Sequence, residues 1–87
     1  MKNLEKLLKA LANKRRLEIL KSLKKEPGDE LSVGEIAEKI KLSFKATSRH
    51  LRILFEADIL DKEQRNIQVF YHIDFKGKLV KYIVSIL

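Results

Sequence analysis

The 87-residue sequence contains no cysteine and no tryptophan, and it has only one proline and three glycines. Without cysteine the chain has no disulfide, no thiol redox chemistry and no thiolate metal site. It also has no glycine-rich phosphate loop and no apolar run long enough to cross a membrane. Charged residues interrupt its leucine-rich N-terminus, unlike a signal peptide. We therefore expect a soluble cytoplasmic protein with no membrane partner.

The charge balance is strongly basic for a chain of this length. Nineteen Lys and Arg residues face 12 Asp and Glu residues, which gives a formal net charge of +7. Such an excess predicts a polyanionic partner, nucleic acid above all. The length is enough for a small hydrophobic core and no more, and the chain has no internal repeat. We expect one domain over residues 1–87.

The segment from Leu31 to Leu60 has the pattern of a helix-turn-helix. Ser32 and Glu35 have the spacing of a capping box, and Leu31 and Ile36 have the spacing of a hydrophobic staple. The first helix should end near Lys41, and the short turn that follows offers Ser43 as the next N-cap. A second helix is then predicted from 44 to about 57. Its inward stripe comprises Phe44, Thr47, Leu51, Leu54 and Phe55.

Two extended segments follow and predict a β-hairpin, or wing. Residues 59–64 and 67–73 are separated by Arg65 and Asn66, and Asn66 tolerates the positive φ that a tight turn needs. Apolar residues alternate along the second segment with the period of a half-buried strand. Lys62 and Arg65 would then lie near the wing tip, where cations meet phosphates or the minor groove.

These elements place a set of polar and cationic side chains where a DNA duplex would lie. Arginine can bond guanine through two hydrogen bonds, lysine and serine can reach phosphates or base edges, and a helix N-terminus favours phosphate. An ordinary solvated charged face is the alternative interpretation. The predicted DNA-binding residues are Ser43, Lys45, Thr47, Ser48, Arg49, His50, Arg52, Lys62 and Arg65.

The chain resembles the ArsR/SmtB-type winged helix-turn-helix repressors. The similarity lies in residues 11–20 (LANKRRLEIL), in residues 48–54 (SRHLRIL) and in Tyr71-His72 at the end of the wing. It implies a mainly α fold with a small β-hairpin, in the order α-α-α-α-β-β-α. It also implies a homodimeric transcriptional regulator, usually a repressor, whose 44–57 helix enters the major groove of double-stranded DNA at an inverted repeat. His50 matches a family histidine and is expected to make a structural or phosphate-side hydrogen bond.

The resemblance also implies that the terminal helices form the dimer interface. Each predicted terminal helix carries an apolar stripe at helical spacing, which suits this role. The alternative is that both stripes pack only on their own subunit. The predicted interface residues are Leu4, Leu7, Leu8, Leu11, Leu79, Ile83, Ile86 and Leu87.

Many members of this family sense metals, but in this sequence the metal-ligand positions of the family hold residues that do not bind metal. The thiolate pair of the family falls on Ser32 and Gly34, and the segment 76–87 has no carboxylate or histidine. His50 and His72 have no ligand-spaced partner. We expect no metal and no cofactor. An effector, if one exists, would be a small molecule or a protein bound at the dimer interface or against the wing.

An enzyme, a protein-binding module and an architectural factor are the alternatives to a DNA-binding regulator. Ser48 and His50 are two residues apart on a helix and project in different directions, so they cannot form a nucleophile–base pair. We therefore expect no enzyme activity. A winged-helix module that binds protein, or an architectural DNA-binding factor, stays open as an alternative.

Overall fold

The computed structural model describes residues 2–87, without the side chains of residues 2, 3 and 29. Its order of elements confirms the predicted fold class, a mainly α winged helix-turn-helix with a small sheet. Within the described range none of the helices is long and apolar enough to span a membrane. The elements are α1 (Lys2–Leu11), α2 (Lys14–Lys25), a 3₁₀ turn (Pro27–Asp29), β1 (Glu30–Ser32), α3 (Val33–Ile40), α4 (Phe44–Glu56), β2 (Leu60–Arg65), β3 (Gln68–Ile73) and α5 (Lys78–Ile86).

The helix-turn-helix is stabilised by local hydrogen bonds at its ends. The backbone N–H of Glu35 donates to Ser32 Oγ at 3.2 Å, and the backbone N–H of Ser32 donates to Glu35 Oε1 at 2.8 Å. This confirms the capping box, and the same bonds lower the pKa of Glu35. Lys41 ends α3 in the left-handed conformation, and Ser43 caps α4 through the N–H of Ala46 at 3.1 Å.

One strand of the sheet was not predicted from the sequence. β1 has only three residues, and it pairs antiparallel with β3 so that Glu30 lies opposite His72 and Ser32 opposite Phe70. The sheet order is β1-β3-β2. Because Ser32 is both the last residue of β1 and the cap of α3, the strand joins the wing directly to the helix-turn-helix.

The wing turn lies one residue later than predicted. Arg65 pairs with Gln68, so the two-residue loop is Asn66-Ile67 and not Arg65-Asn66. Asn66 has φ 59°, the positive value that tight hairpin turns place at their first central position. Asp58 also adopts a positive φ, 60°, just after α4. Ile67 was assigned to a strand, but it lies in the loop and is 95% exposed.

The core lies where α2, α3 and α4 pack against the sheet. Its fully buried side chains include Ile19, Leu20, Leu23, Ile36, Leu51, Leu54, Ile59 and Leu60. The inward stripe of α4 is thus confirmed at Leu51 and Leu54. It is wrong at Phe44, which is 62% exposed, because the first turn of α4 projects beyond the core. This packing fixes the angle between α4 and the wing.

Candidate nucleic-acid interface

A basic cleft separates α4 from the wing. Its volume is about 410 Å³. No acidic side chain lines it, and four of its six lining residues are cationic. The lining residues, called the basic cleft below, are Lys45, Ser48, Arg49, Arg52, Lys62 and Tyr71. The cleft therefore unites five of the predicted DNA-binding residues with Tyr71, which the sequence indicated only among the residues of the family resemblance.

The outward face of α4 supplies most of the charge in this cleft. Lys45, Arg49 and Arg52 are exposed, and Ser48 is half-buried. Arg52 has a loose contact with Glu56, 3.8 Å between Nε and Oε2, in which both side chains are more than half exposed. Such surface pairs contribute little stability, so Arg52 stays available to a phosphate. Ser43 is exposed as well, but its hydroxyl already accepts the cap bond.

Thr47 does not belong to this surface. Its side chain is completely buried, and its hydroxyl has no hydrogen-bond partner among the described residues. A DNA duplex laid against α4 cannot reach it, because the residue faces the core beside Leu51 and Leu54 in the helical period. The prediction that Thr47 binds DNA is therefore wrong for this conformation.

His50 contacts α2 and does not line the basic cleft. Its Nδ1 lies 3.2 Å from Nη1 of Arg16, whose Nε donates to the carbonyl of Ala10 at 2.6 Å. Burial lowers the pKa of His50, and the neighbouring guanidinium groups of Arg16 and Arg49 lower it further. A neutral ring that accepts a bond from Arg16 agrees with the expected structural hydrogen bond. Arg16 itself was missed as its partner, since 34 residues separate the two.

The two predicted wing cations lie on opposite faces of the sheet. Lys62 is opposite Tyr71 in the register, and its Nζ lies 4.4 Å from the centre of the Phe55 ring on α4. Arg65 alternates to the other face, where its guanidinium pairs with the carboxylates of Glu30 and Glu63. The same group lies 4.2 Å from the centre of the Phe70 ring. Lys62 is thus part of the basic cleft, whereas Arg65 is neutralised outside it.

Apolar side chains of the terminal helices are divided between core and surface. Leu7 and Leu11 are buried in the subunit's own core, and Leu4, Ile83 and Leu87 are half-buried against it. Three of the predicted interface residues are well exposed: Leu8 (51%), Leu79 (43%) and Ile86 (66%). Tyr82 on α5 is 64% exposed and extends the apolar surface that they form. The exposed apolar area therefore comes more from α5 than from α1.

No metal-binding cluster is found within residues 2–87. A group of three or more histidine or carboxylate side chains at ligating distance does not occur among the described side chains. His72 lies on the outer face of the wing, 4.0 Å from a carboxylate oxygen of Asp61. This pair alone cannot complete a four-ligand site.

The family and two curated relatives match this chain in sequence. The model of the arsR family of bacterial regulatory proteins matches residues 13–62. The transcriptional activator HlyU of Vibrio cholerae is 43% identical over 65 residues, 75% of this chain and 57% of HlyU. The nodulation protein NolR of Rhizobium meliloti is 40% identical over 76 residues, 87% of this chain and 59% of NolR. The chain thus spans less than three-fifths of both relatives.

Solved structures of proteins from the same family superpose on nearly the whole chain. Reduced HlyU from Vibrio cholerae superposes with a TM-score of 0.82 at 36% identity, over 98% of this chain and 84% of that one. The homodimeric winged helix-turn-helix domain Mb0332 of Mycobacterium bovis gives 0.83 at 26% identity, over 98% and 74%. The matched family is described as regulatory, HlyU as a transcriptional activator and Mb0332 as a possible transcriptional regulator. The chain is a winged helix-turn-helix protein of the arsR family of bacterial regulatory proteins.

Proposed function

We propose that the chain is a homodimeric repressor that binds an inverted-repeat operator through α4 and Lys62. The observation that carries this proposal is the basic cleft, in which cations of α4 and of the wing face the same space and no acidic side chain lines it. Phosphate contacts supply most of the affinity of such a surface, and base contacts supply the sequence preference. Lys45, Ser48 and Arg49 are the residues we assign to base edges.

Dimerisation is supported by the exposed apolar surface of the terminal helices. Leu8, Leu79, Tyr82 and Ile86 are each more than 40% exposed, which is costly for a monomer in water. The related Mb0332 domain is described as homodimeric. A two-fold dimer would place its two α4 helices in successive major grooves, about 34 to 36 Å apart. Residues 1–87 would form one domain of that dimer and act in the cytoplasm, where bacterial DNA lies.

Repression follows from where such a dimer would lie. A protein that covers about two turns of promoter DNA blocks the polymerase, and this requires no activation surface. The related HlyU is described as an activator. Whether a dimer of this kind activates or represses therefore depends on the position of its operator relative to the promoter. A protein-binding module and an architectural factor are the competing functions.

The test is a selection of randomised duplex DNA by the purified chain, followed by affinity measurements over a salt series. We expect an enriched inverted repeat and an affinity that falls steeply with salt, by about 0.9 log units per log unit of salt for each phosphate neutralised. Enrichment without symmetry would indicate an architectural factor. No binding at low salt would contradict the proposal and favour the protein-binding module.

A further inference from the structure

A second recess lies beside the basic cleft, between the first turns of α3 and α4 and the wing. Its volume is about 310 Å³, and no charged side chain lines it. One wall is apolar and comprises Phe44, Val69 and Ile67, while Gly34 lies at the α3 side. An engineered cavity of about 150 Å³ holds benzene. The recess can therefore accommodate one aromatic ring with a short substituent, or an alkyl chain of similar volume.

The apolar wall is not explained by the packing of the domain. Phe44 is 62% exposed and Ile67 is 95% exposed, although both are large apolar side chains. Single exposed apolar residues are ordinary, but these two border one recess together with the half-buried Val69. A bound apolar group would remove part of all three side chains from water.

Two hydroxyl groups stand where this recess meets the basic cleft. Ser48 and Tyr71 line both spaces. Tyr71 is only 6% exposed, yet none of the described residues forms a hydrogen bond with its hydroxyl. Burial raises the pKa of Tyr71, so its hydroxyl stays protonated and available as a donor at neutral pH. The hydroxyl reaches solvent where the two spaces meet, so it is free to donate to a ligand there.

We propose that this recess binds a small apolar carboxylate, such as an aromatic or short-chain carboxylic acid. The apolar body would lie against Phe44, Val69 and Ile67. The carboxylate would accept hydrogen bonds from Ser48 and Tyr71 at the end that opens toward the cations of the basic cleft. The opposite orientation is disfavoured, because the α3 side of the recess adjoins Glu35, whose carboxylate is already held in the capping box.

Binding of the acid would compete with the proposed binding of DNA. This competition rests on the proposed function, whereas the acid site itself does not. The carboxylate would occupy the part of the basic cleft bordered by Ser48 and Tyr71, where a DNA phosphate or base edge would otherwise lie. Two ligands that need the same space weaken each other by the same factor. The acid would therefore act as an inducer that releases the operator.

The test uses the purified chain with methyl-labelled isoleucine and valine, titrated with benzoate, phenylacetate or octanoate. Benzyl alcohol is the neutral probe, and sodium chloride keeps the ionic strength constant. We expect saturable shifts of the Ile67 and Val69 methyl resonances with at least one acid, and at least tenfold weaker binding of benzyl alcohol. No saturable shift with any of the three acids up to 10 mM would overturn the proposal, as would equal binding of the alcohol.

Two variants with matched controls locate the site. A Cβ added at Gly34 meets no atom within 4 Å, so Gly34→Leu places an apolar side chain at the edge of the recess without a Cβ clash, and Gly34→Ala is its control. Tyr71→Phe removes only the hydroxyl that would donate a hydrogen bond to the carboxylate. Tyr82→Phe on the exposed face of α5 is its control. We expect at least tenfold weaker acid binding in Gly34→Leu and Tyr71→Phe and unchanged binding in the controls. Unchanged binding in Gly34→Leu would place the acid elsewhere.

The methyl titration contains no DNA, so the two proposals can fail separately. A chain that binds the acid but enriches no duplex would contradict the regulatory proposal and keep the site. A chain that binds its operator but shows no methyl shifts would do the reverse. If both ligands bind, the apparent Kd for the operator should rise linearly with the acid concentration divided by the Kd of the acid, and an unchanged Kd would contradict the shared space.

Discussion

The two faces of the wing each carry one cation, and only the cation of the inner face is available to a nucleic acid. On the inner face Lys62 joins the basic cleft and lies over the Phe55 ring. On the outer face Arg65 is held by Glu30 and Glu63 and lies over Phe70. Both residues count equally in the formal net charge of +7. The comparison shows that the charge a nucleic acid would meet depends on what each cation already contacts.

The largest expected effect comes from the α4 side of the basic cleft. Arg49→Ala should weaken binding to the selected site by about tenfold to a hundredfold, because a bidentate base contact contributes 1–3 kcal/mol. It should also relax the sequence preference at one position of each half-site. Repeating the duplex selection with the variant checks this. An unchanged preferred sequence would contradict the assignment of Arg49 to a base edge.

The second prediction tests the two wing faces directly. Lys62→Ala should weaken binding to every sequence by about three- to tenfold and reduce the salt slope by about one, since one phosphate contact is lost. Arg65→Ala is the matched control and should change affinity by less than about twofold, because its charge is already neutralised. Affinity measured over the same salt series decides the point. Equal losses in the two variants would show that the outer face also meets DNA.

The third prediction releases the outer cation. Glu30→Gln with Glu63→Gln adds two to the formal net charge of the chain and frees the guanidinium of Arg65. We expect a gain of about two- to threefold in binding to nonspecific DNA at low salt, from longer-range attraction alone. Adding Arg65→Ala removes one of these two added charges and should leave about half of the gain in place. If the gain disappeared with Arg65, the released side chain would have reached the duplex itself.

The smallest expected effect concerns His50, which faces cations with no carboxylate beside it. Burial and the nearby Arg16 lower the pKa of His50 in the folded chain, so the unfolded chain takes up the proton at a higher pH, near 6.5. The resulting stability is complete above that pH and is lost as the pH falls through the folded-state pKa.

Urea unfolding between pH 7 and pH 5 measures this loss. The free energy of unfolding should fall less steeply with decreasing pH in His50→Gln than in the unmodified chain. Arg16→Gln should lie between the two, because it removes one of the charges that disfavour protonation but leaves the burial. An identical slope in all three proteins would show that His50 does not titrate in this range.

Local features of the fold could be predicted because their causes lie within a few residues. The capping box of Ser32 and Glu35, the Ser43 cap and the positive φ at Asn66 were all accessible from residue type and spacing. The outward face of α4 followed from the helical period. Its inward face failed at Phe44, because periodicity gives a direction around the helix but not the distance to which the core extends.

Long-range contacts were the features that spacing could not provide. Three residues are too few for β1 to show a period, and its pairing with β3 joins positions about 40 residues apart in the sequence. That pairing brings Glu30 to Arg65 and so pairs a predicted DNA-binding cation with a carboxylate. The sequence places Tyr71 at the end of the wing, but its position between the recess and the basic cleft depends on the packing of α4 against the sheet.

The sequence by itself determined the order of the helices, their caps, the basic outward face of α4 and the absence of thiol chemistry. Each of these depends on residue identity or on contacts within about one helical turn. Only the tertiary structure decided which cations stay available, which hydroxyl lacks a partner and which apolar side chains remain outside the core. These properties arise from strand register and helix packing, where a shift of one residue moves a side chain to the opposite face.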